Sequence, residues 1–212
     1  MPSLVKFDKE QAALFPTDFL VGIDEAGRGP LAGPVVAAAC HIPPALADQF
    51  PEVNDSKKLT EKKREQLFER LTHTEGILYG IGFASAQEID ELNILQATFL
   101  AMRRAAEPLT KYPGACALID GPHPAAKLTL PQRPVIDGDA KSLVIAAASI
   151  LAKVTRDRHL KMLDEKYPGY GFAGHKGYGT AKHLAALRAL GPCPEHRRSF
   201  APVRNLLTPT LL

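Results

Sequence analysis

Two kinds of apolar spacing take turns in this chain, and each predicts its own element. FLVGID (Phe19 to Asp24), VVAAACHI (Val35 to Ile42), ILYGIGFA (Ile77 to Ala84) and ACALID (Ala115 to Asp120) are short, nearly continuous apolar runs, as buried strands are. The first two flank EAGRGPLAGP, which predicts a tight, irregular turn, with the first strand ending at the acidic pair. Elsewhere apolar residues return every three or four positions. Thr60 opens a charged helix with Leu59, Leu67, Phe68 and Leu71 on its apolar stripe. Ser85 and Glu88 stand three apart, a capping box ahead of Ile89, Leu92, Leu95, Phe99 and Met102, and predict one helix lasting to about Pro108. The proline-rich stretch from His123 to Pro134 reads as loop. From Ser142 to Asp164, Ile145, Ser149, Ala152 and Val154 give one helix face and TRDRHLK a basic, solvated continuation. A last helix runs from Thr180 to Leu190 and stops at Gly191-Pro192. Strands mixed with helices, without repeats, predict an α/β layer architecture around one central sheet.

Composition narrows the classes. At 212 residues, 45% of them apolar, the chain is one domain or one domain with an appendage. A chain of that length buries roughly 70% of its unfolded surface, so neither metal nor disulfide is needed to hold the core. Cys40, Cys116 and Cys193 lie far apart and fit neither a disulfide framework nor a CxxC site; they are expected to be buried fillers. No stretch is long and apolar enough to span a membrane, and the first residues carry acids where a signal peptide is apolar, so the chain is expected to be cytoplasmic. A net charge of +3 discriminates little by itself.

The chemistry is concentrated in acids beside glycine. Asp24 and Glu25 precede Ala26-Gly27, Asp120 precedes Gly121, and Asp139 lies in DGDAKS before a helix. Strand ends gather groups from distant parts of a chain into one cleft, and carboxylates so gathered repel and raise one another's pKa. Divalent ions relieve that repulsion, and Mg²⁺ or Mn²⁺ takes oxygen ligands of this kind. Any one of these acids taken alone is usually a turn or cap residue; the pattern of several together carries the argument. Asp24 and Glu25 point to opposite faces of a regular strand, so a bend at Ala26-Gly27 is needed for both to reach one site. GIDEAGRG spaces its glycines like a P-loop but has Arg28-Gly29 where Lys-Ser/Thr is required, which excludes that motif. Gly27 and Gly29 leave room for close backbone approach to a ligand, and Arg28 can contact a phosphate. Basic residues gather in DSKKLTEKKR, AKVTRDRHLK and HRRS around a Tyr/Gly segment, a distribution suited to a phosphate backbone or to plain solvated helix faces. The histidines show no zinc spacing, His41 is expected to pack in its strand, and Ser149 reads as a small residue in a packed helix rather than a nucleophile.

IDEAGRGPLAGPVVAAA, NDSKKLT, IDELNILQATFLAM, LIDG, GDAKS, AAASILAKVTRD, YGFAGHKGYGT and HRRSFAPV together resemble bacterial ribonuclease HII over residues 18–203. The resemblance implies a ribonuclease H-like fold: a central mixed β-sheet flanked by helices, with a small helical C-terminal part. Residues 1–17 are then an N-terminal extension and 204–212 a tail. It implies hydrolysis of RNA in RNA-DNA hybrids and incision 5′ of single ribonucleotides in duplex DNA with Mg²⁺ or Mn²⁺ as cofactor. By motif, Asp24, Glu25, Asp120 and Asp139 become the metal-binding and catalytic carboxylates, with Asp137 the rival for the last. Gly27, Arg28 and Gly29 resemble an element that senses the 2′-hydroxyl, Tyr178 a tyrosine packed on that sugar, and Lys57 a backbone-contacting residue. The tail LLTPTLL shows no aromatic sliding-clamp motif, and a monomer is expected. Two alternatives remain open: a DNA-directed nuclease on the same sheet, against which the GRG and HKGYGT blocks speak, and a hybrid-binding protein without catalysis, against which the intact acids speak.

Overall fold

The computed structural model describes residues 4–15, 17–54 and 56–207; readings that fall on residues 1–3, Asp55 and 208–212, including most of the tail, lie outside the described residues. The sheet has the order β3-β2-β1-β4-β5, with β1 at Leu20–Ala26, β2 at Val35–His41, β3 at Leu78–Ala84, β4 at Cys116–Asp120 and β5 at Gln132–Val135. β1, β2 and β3 pair antiparallel, while β4 runs parallel to both β1 and β5.

Alternation along the strands divides the core in two. On β2, Ala38 and Cys40 join Leu20 and Leu118 against α5 (Leu143–Lys166), with α2 (Glu61–His73) packed outside it. Val35, Ala37 and Ala39 face the other way with Val21, Ile23 and Ile119, against α4 (Ile94–Ala106). A Cβ on Gly22 would come within 2.1 Å of the Val144 carbonyl carbon, so glycine is what allows α5 to press onto β1. His41 packs in its strand as expected, donating through Nδ1 to the Leu20 carbonyl at 2.9 Å, and all three cysteines are free and buried.

α1 (Leu4–Leu14) docks on the N-terminus of α5, where the Asp8 carboxylate accepts from the Val144 N–H. The small C-terminal part comprises α6 (Phe172–His175), α7 (Ala181–Leu190) and α8 (Ala201–Leu207), so the first residues assigned to the tail are helical. It packs beneath the irregular 27–34 connection around Leu31, Ala32, Phe172, Leu187 and Val203.

Three expectations are corrected. The helix from Ser85 is two helices, α3 (Ala86–Leu92) and α4, because Asn93 takes φ +70° and its side chain caps α4 by accepting from the Leu95 and Gln96 N–H groups. The segment from His123 to Pro134 is not all loop: it enters β5, and Pro134 is tolerated because β5 is an edge strand. TRDRHLK is not a solvated continuation, since Arg156 and Asp157 are buried.

Candidate active site

Parallel pairing sets Ile23 beside Ile119, so the next residues, Asp24 and Asp120, reach the same end of neighbouring strands. β1 stays in register with β2 through Asp24, Glu25 and Ala26 and turns only at Gly27, with φ +97°, so the bend lies after the two adjacent acids rather than between them. Both nonetheless line one cleft of about 220 Å³, with Asp120, Lys57, Ser149, Lys153, Arg156 and Tyr178 around it. Asp120 Oδ1 accepts from the Gly138 N–H at 2.7 Å, which fixes the 138–140 turn and places Asp139 next to it. Asp139 is 5% exposed and ion-paired with Lys57 Nζ at 3.2 Å. Its rival Asp137 is exposed, in the left-handed region at the start of that turn.

The three clustered acids are all driven toward the protonated form. Burial raises the Asp24 carboxyl well above the ordinary range, and repulsion from Glu25 and Asp120 adds to it. Hydrogen bonds from Ser149 and from the Glu25 N–H, the latter 2.7 Å from Asp24 Oδ1, only partly offset this. Glu25 is raised by burial, against the pull of Arg28 at 3.3 Å, and Asp120 by burial, against the Gly138 N–H. Among the described residues no three His, Cys, Asp or Glu side chains converge tightly enough to cage an ion alone. An open, oxygen-only donor set with unrelieved repulsion fits Mg²⁺ or Mn²⁺, which keep waters and share their shell with substrate phosphate.

Two arginines that the sequence did not single out hold the turn. Arg197, 0% exposed, donates to the carbonyls of Gly27, Arg28 and Gly33; Arg156, 1% exposed, donates to those of Ala32, Pro34 and Lys176. A Cβ on Gly27 would stand 1.9 Å from Arg156 Nε, so glycine is obligatory there. At Gly29 it would meet only the Tyr178 ring, at 3.7 Å, and the protein's own packing leaves room for a side chain. Ser149 is buried in the packed helix α5 as expected, and it also meets Ser56 Oγ at 2.9 Å and hydrogen-bonds Asp24 in the cleft. The one signal for the arginines was the 27–34 segment, rich in Gly and Pro, whose carbonyls have few regular partners and require donors from elsewhere.

A mixed five-stranded sheet flanked by helices is the ribonuclease H-like fold, and acids at the ends of adjacent parallel strands give it a cleft suited to metal-assisted phosphodiester chemistry. The ribonuclease HII of Archaeoglobus fulgidus, solved in complex with PCNA, superimposes with a TM-score of 0.73 at 28% identity, over 91% of this chain and 98% of that one. Ribonuclease H2 of Pyrococcus horikoshii gives 0.70 at 27% identity, over 88% and 96%. The ribonuclease HII of Syntrophotalea carbinolica is 56% identical over 188 residues, 89% of this chain and 88% of the relative. Residues 21–203 match the family model for ribonuclease HII, and the chain belongs to that family. It is an endoribonuclease that acts on RNA-DNA hybrids.

Proposed function

We propose that this enzyme, besides hydrolysing the RNA strand of hybrids, incises duplex DNA on the 5′ side of a single embedded ribonucleotide, leaving a 5′-phosphate and a 3′-hydroxyl. The observation that carries the reading is that one cleft joins the Asp24, Glu25 and Asp120 carboxylates to the Gly27 turn and the Tyr178 ring. Asp24, Glu25, Asp120 and Asp139 would hold two Mg²⁺ or Mn²⁺ ions. What such ions supply when bound is an activated water and stabilisation of the departing 3′-oxygen.

The chain's own part is orientation. Ser149 and the Glu25 N–H fix the Asp24 carboxylate, and the Gly138 N–H fixes that of Asp120. Lys57, whose side chain is 80% exposed while it pairs with Asp139, presents its ammonium to a phosphate. The 2′-hydroxyl is what separates RNA from DNA at one nucleotide, and Gly27 and the Tyr178 ring line the same cleft as the acids, with Gly29 adjacent, where a sugar would be tested. No helix among the described residues is long and apolar enough to cross a membrane.

The test is cleavage of a labelled DNA duplex carrying one ribonucleotide, beside an all-DNA duplex of the same sequence, with Mg²⁺, with Mn²⁺ and with chelator. A single metal-dependent cut 5′ of the ribonucleotide, absent from all-DNA, is expected. Cutting of both duplexes would replace this reading with a DNA-directed nuclease, and binding without cutting with a silent binder.

A further inference from the structure

Behind Tyr178 stand three histidines whose protons can be assigned one by one. His183 Nδ1 is 2.9 Å from the Tyr178 carbonyl oxygen, which can only accept, so His183 carries its proton on Nδ1. Its Nε2 is then an acceptor, and it lies 3.1 Å from His196 Nε2, which must therefore donate. His196 Nδ1 is left to accept, and it does so from the Cys193 N–H at 3.0 Å. His175 repeats the logic: Nδ1 accepts from the Gly177 N–H at 3.2 Å, and Nε2 donates to the Tyr170 carbonyl at 2.9 Å. Every ring atom has one role, and the set closes with each ring neutral.

The surroundings enforce that state. His183 and His196 are buried, His175 stacks on His183 with centroids 4.4 Å apart, and the Tyr170 and Phe172 rings close the sides. The other titratable groups nearby are the Cys193 thiol, 3.2 Å from His196 Nδ1, with Glu195 beside it, and the buried Arg156 and Arg197 beyond Tyr178. Among the described residues no carboxylate accepts from either ring of the pair, so no directly bonded negative charge offsets an added proton. Burial and the neighbouring His183 push His196 down to about 4, and burial lowers His183. Tyr178 is 48% exposed, so few packing contacts hold its ring, and its backbone is held by its own N–H donating to the His175 carbonyl at 2.9 Å and by its carbonyl accepting from the Thr180 N–H at 2.8 Å as well as from His183.

We infer that His183, relayed by His196, is a positioning residue for Tyr178: the neutral imidazole pair fixes the Tyr178 carbonyl and thereby the ring opposite the Gly27–Gly29 turn. The inference rests on the sugar-sensing reading of Tyr178 above. It makes ribonucleotide selection depend on two buried rings that touch neither substrate nor metal.

Two measurements on the full chain test it. Long-range ¹H–¹⁵N correlation of the histidine side chains should show His183 protonated on Nδ1 and His196 on Nε2, both still neutral at pH 6; an imidazolium or the opposite tautomer in either would overturn the arrangement. Cleavage at one embedded ribonucleotide is then compared for Tyr178→Ala, His183→Leu, His183→Asn and the Tyr178→Ala/His183→Leu pair, each checked for folding by thermal unfolding. His183→Leu should lose roughly tenfold in kcat/KM with the same relaxed selection as Tyr178→Ala, add less than about twofold in the Tyr178→Ala background, and be largely restored in His183→Asn, whose amide can donate to the same carbonyl. Full, independent losses in the double variant, with Tyr178→Ala itself impaired, would defeat the positioning role alone. Unchanged selection by Tyr178→Ala would defeat the sugar-sensing reading instead. The tautomer measurement and the Asn variant keep the test decisive if His183→Leu does not fold.

Discussion

Asp120 is anchored by the Gly138 N–H and faces the negative field of Asp139, an arrangement that orients a carboxylate without neutralising it. Replacing it with Asn keeps an acceptor for Gly138 and removes one charge. Asp120→Asn should therefore cut the hydrolysis rate on the order of 10² to 10³-fold, the size of a lost electrostatic group aimed at the reaction, while hybrid binding measured by anisotropy changes little. Wild-type cleavage by that variant would move the site elsewhere. That Asp120 and Asp24 were candidates was visible in the sequence, since each closes an apolar run beside or near glycine. Their difference was not: Asp24 has Ser149 as a partner and Asp120 the Gly138 N–H, and neither partner adjoins its acid in the chain.

α5 ties these distant groups together. Its first turn is capped by Ser142 and by Asp8 of α1, its middle brings Ser149 to the acids, and its later turns send Arg156 under the 27–34 segment. Asp8 caps at a cost, for burial raises it to about 6 while Oδ1 has no hydrogen-bond partner. A carboxyl whose folded pKa lies above its unfolded value loses stability as pH rises between the two. Asp8→Asn keeps an acceptor for Val144 and should raise stability at pH 8 by up to about 3 kcal/mol, with almost no gain at pH 4, as read from urea unfolding. A gain equal at both pH values would point to packing instead. Under the turn, Arg197→Lys cannot reach three divergent carbonyls with one ammonium; it should lose about 2 to 4 kcal/mol and most activity, against no loss if the carbonyls find water. The helix starts at Thr60, Ser85, Ser142 and Thr180 were legible because a cap is a local signal. The break at Asn93 was hidden because Ile89, Leu92, Leu95 and Phe99 keep helical spacing across it. Arg156 and Arg197 were read as solvated or phosphate-tracking because burial is a property of the assembled fold, and no local pattern separates a buried guanidinium from an exposed one.

The assembled molecule carries two opposed titrations. Asp24, Glu25 and Asp120 have folded pKa values raised by burial, so in the absence of cations they subtract stability above the ordinary carboxylate range. His183 and His196 are lowered; their contribution is present above about 6.5 and is lost as pH falls below it, for His196 as pH approaches about 4. A divalent ion at the acids reverses only the first of these, since it competes with protons for the same oxygens and leaves the histidines untouched. The rise in Tm produced by Mn²⁺ over chelator should therefore be larger at pH 8 than at pH 5.5, with stabilisation of about 2.7 kcal/mol when the free ion is a hundredfold above its Kd. Asp120→Asn should shrink that rise at both pH values, whereas Asp8→Asn, remote from the cleft, should leave it intact. A metal increment independent of pH, or one that survives Asp120→Asn unchanged, would place the ions away from the strand ends, and the repulsion among Asp24, Glu25 and Asp120 would then be relieved by protons alone.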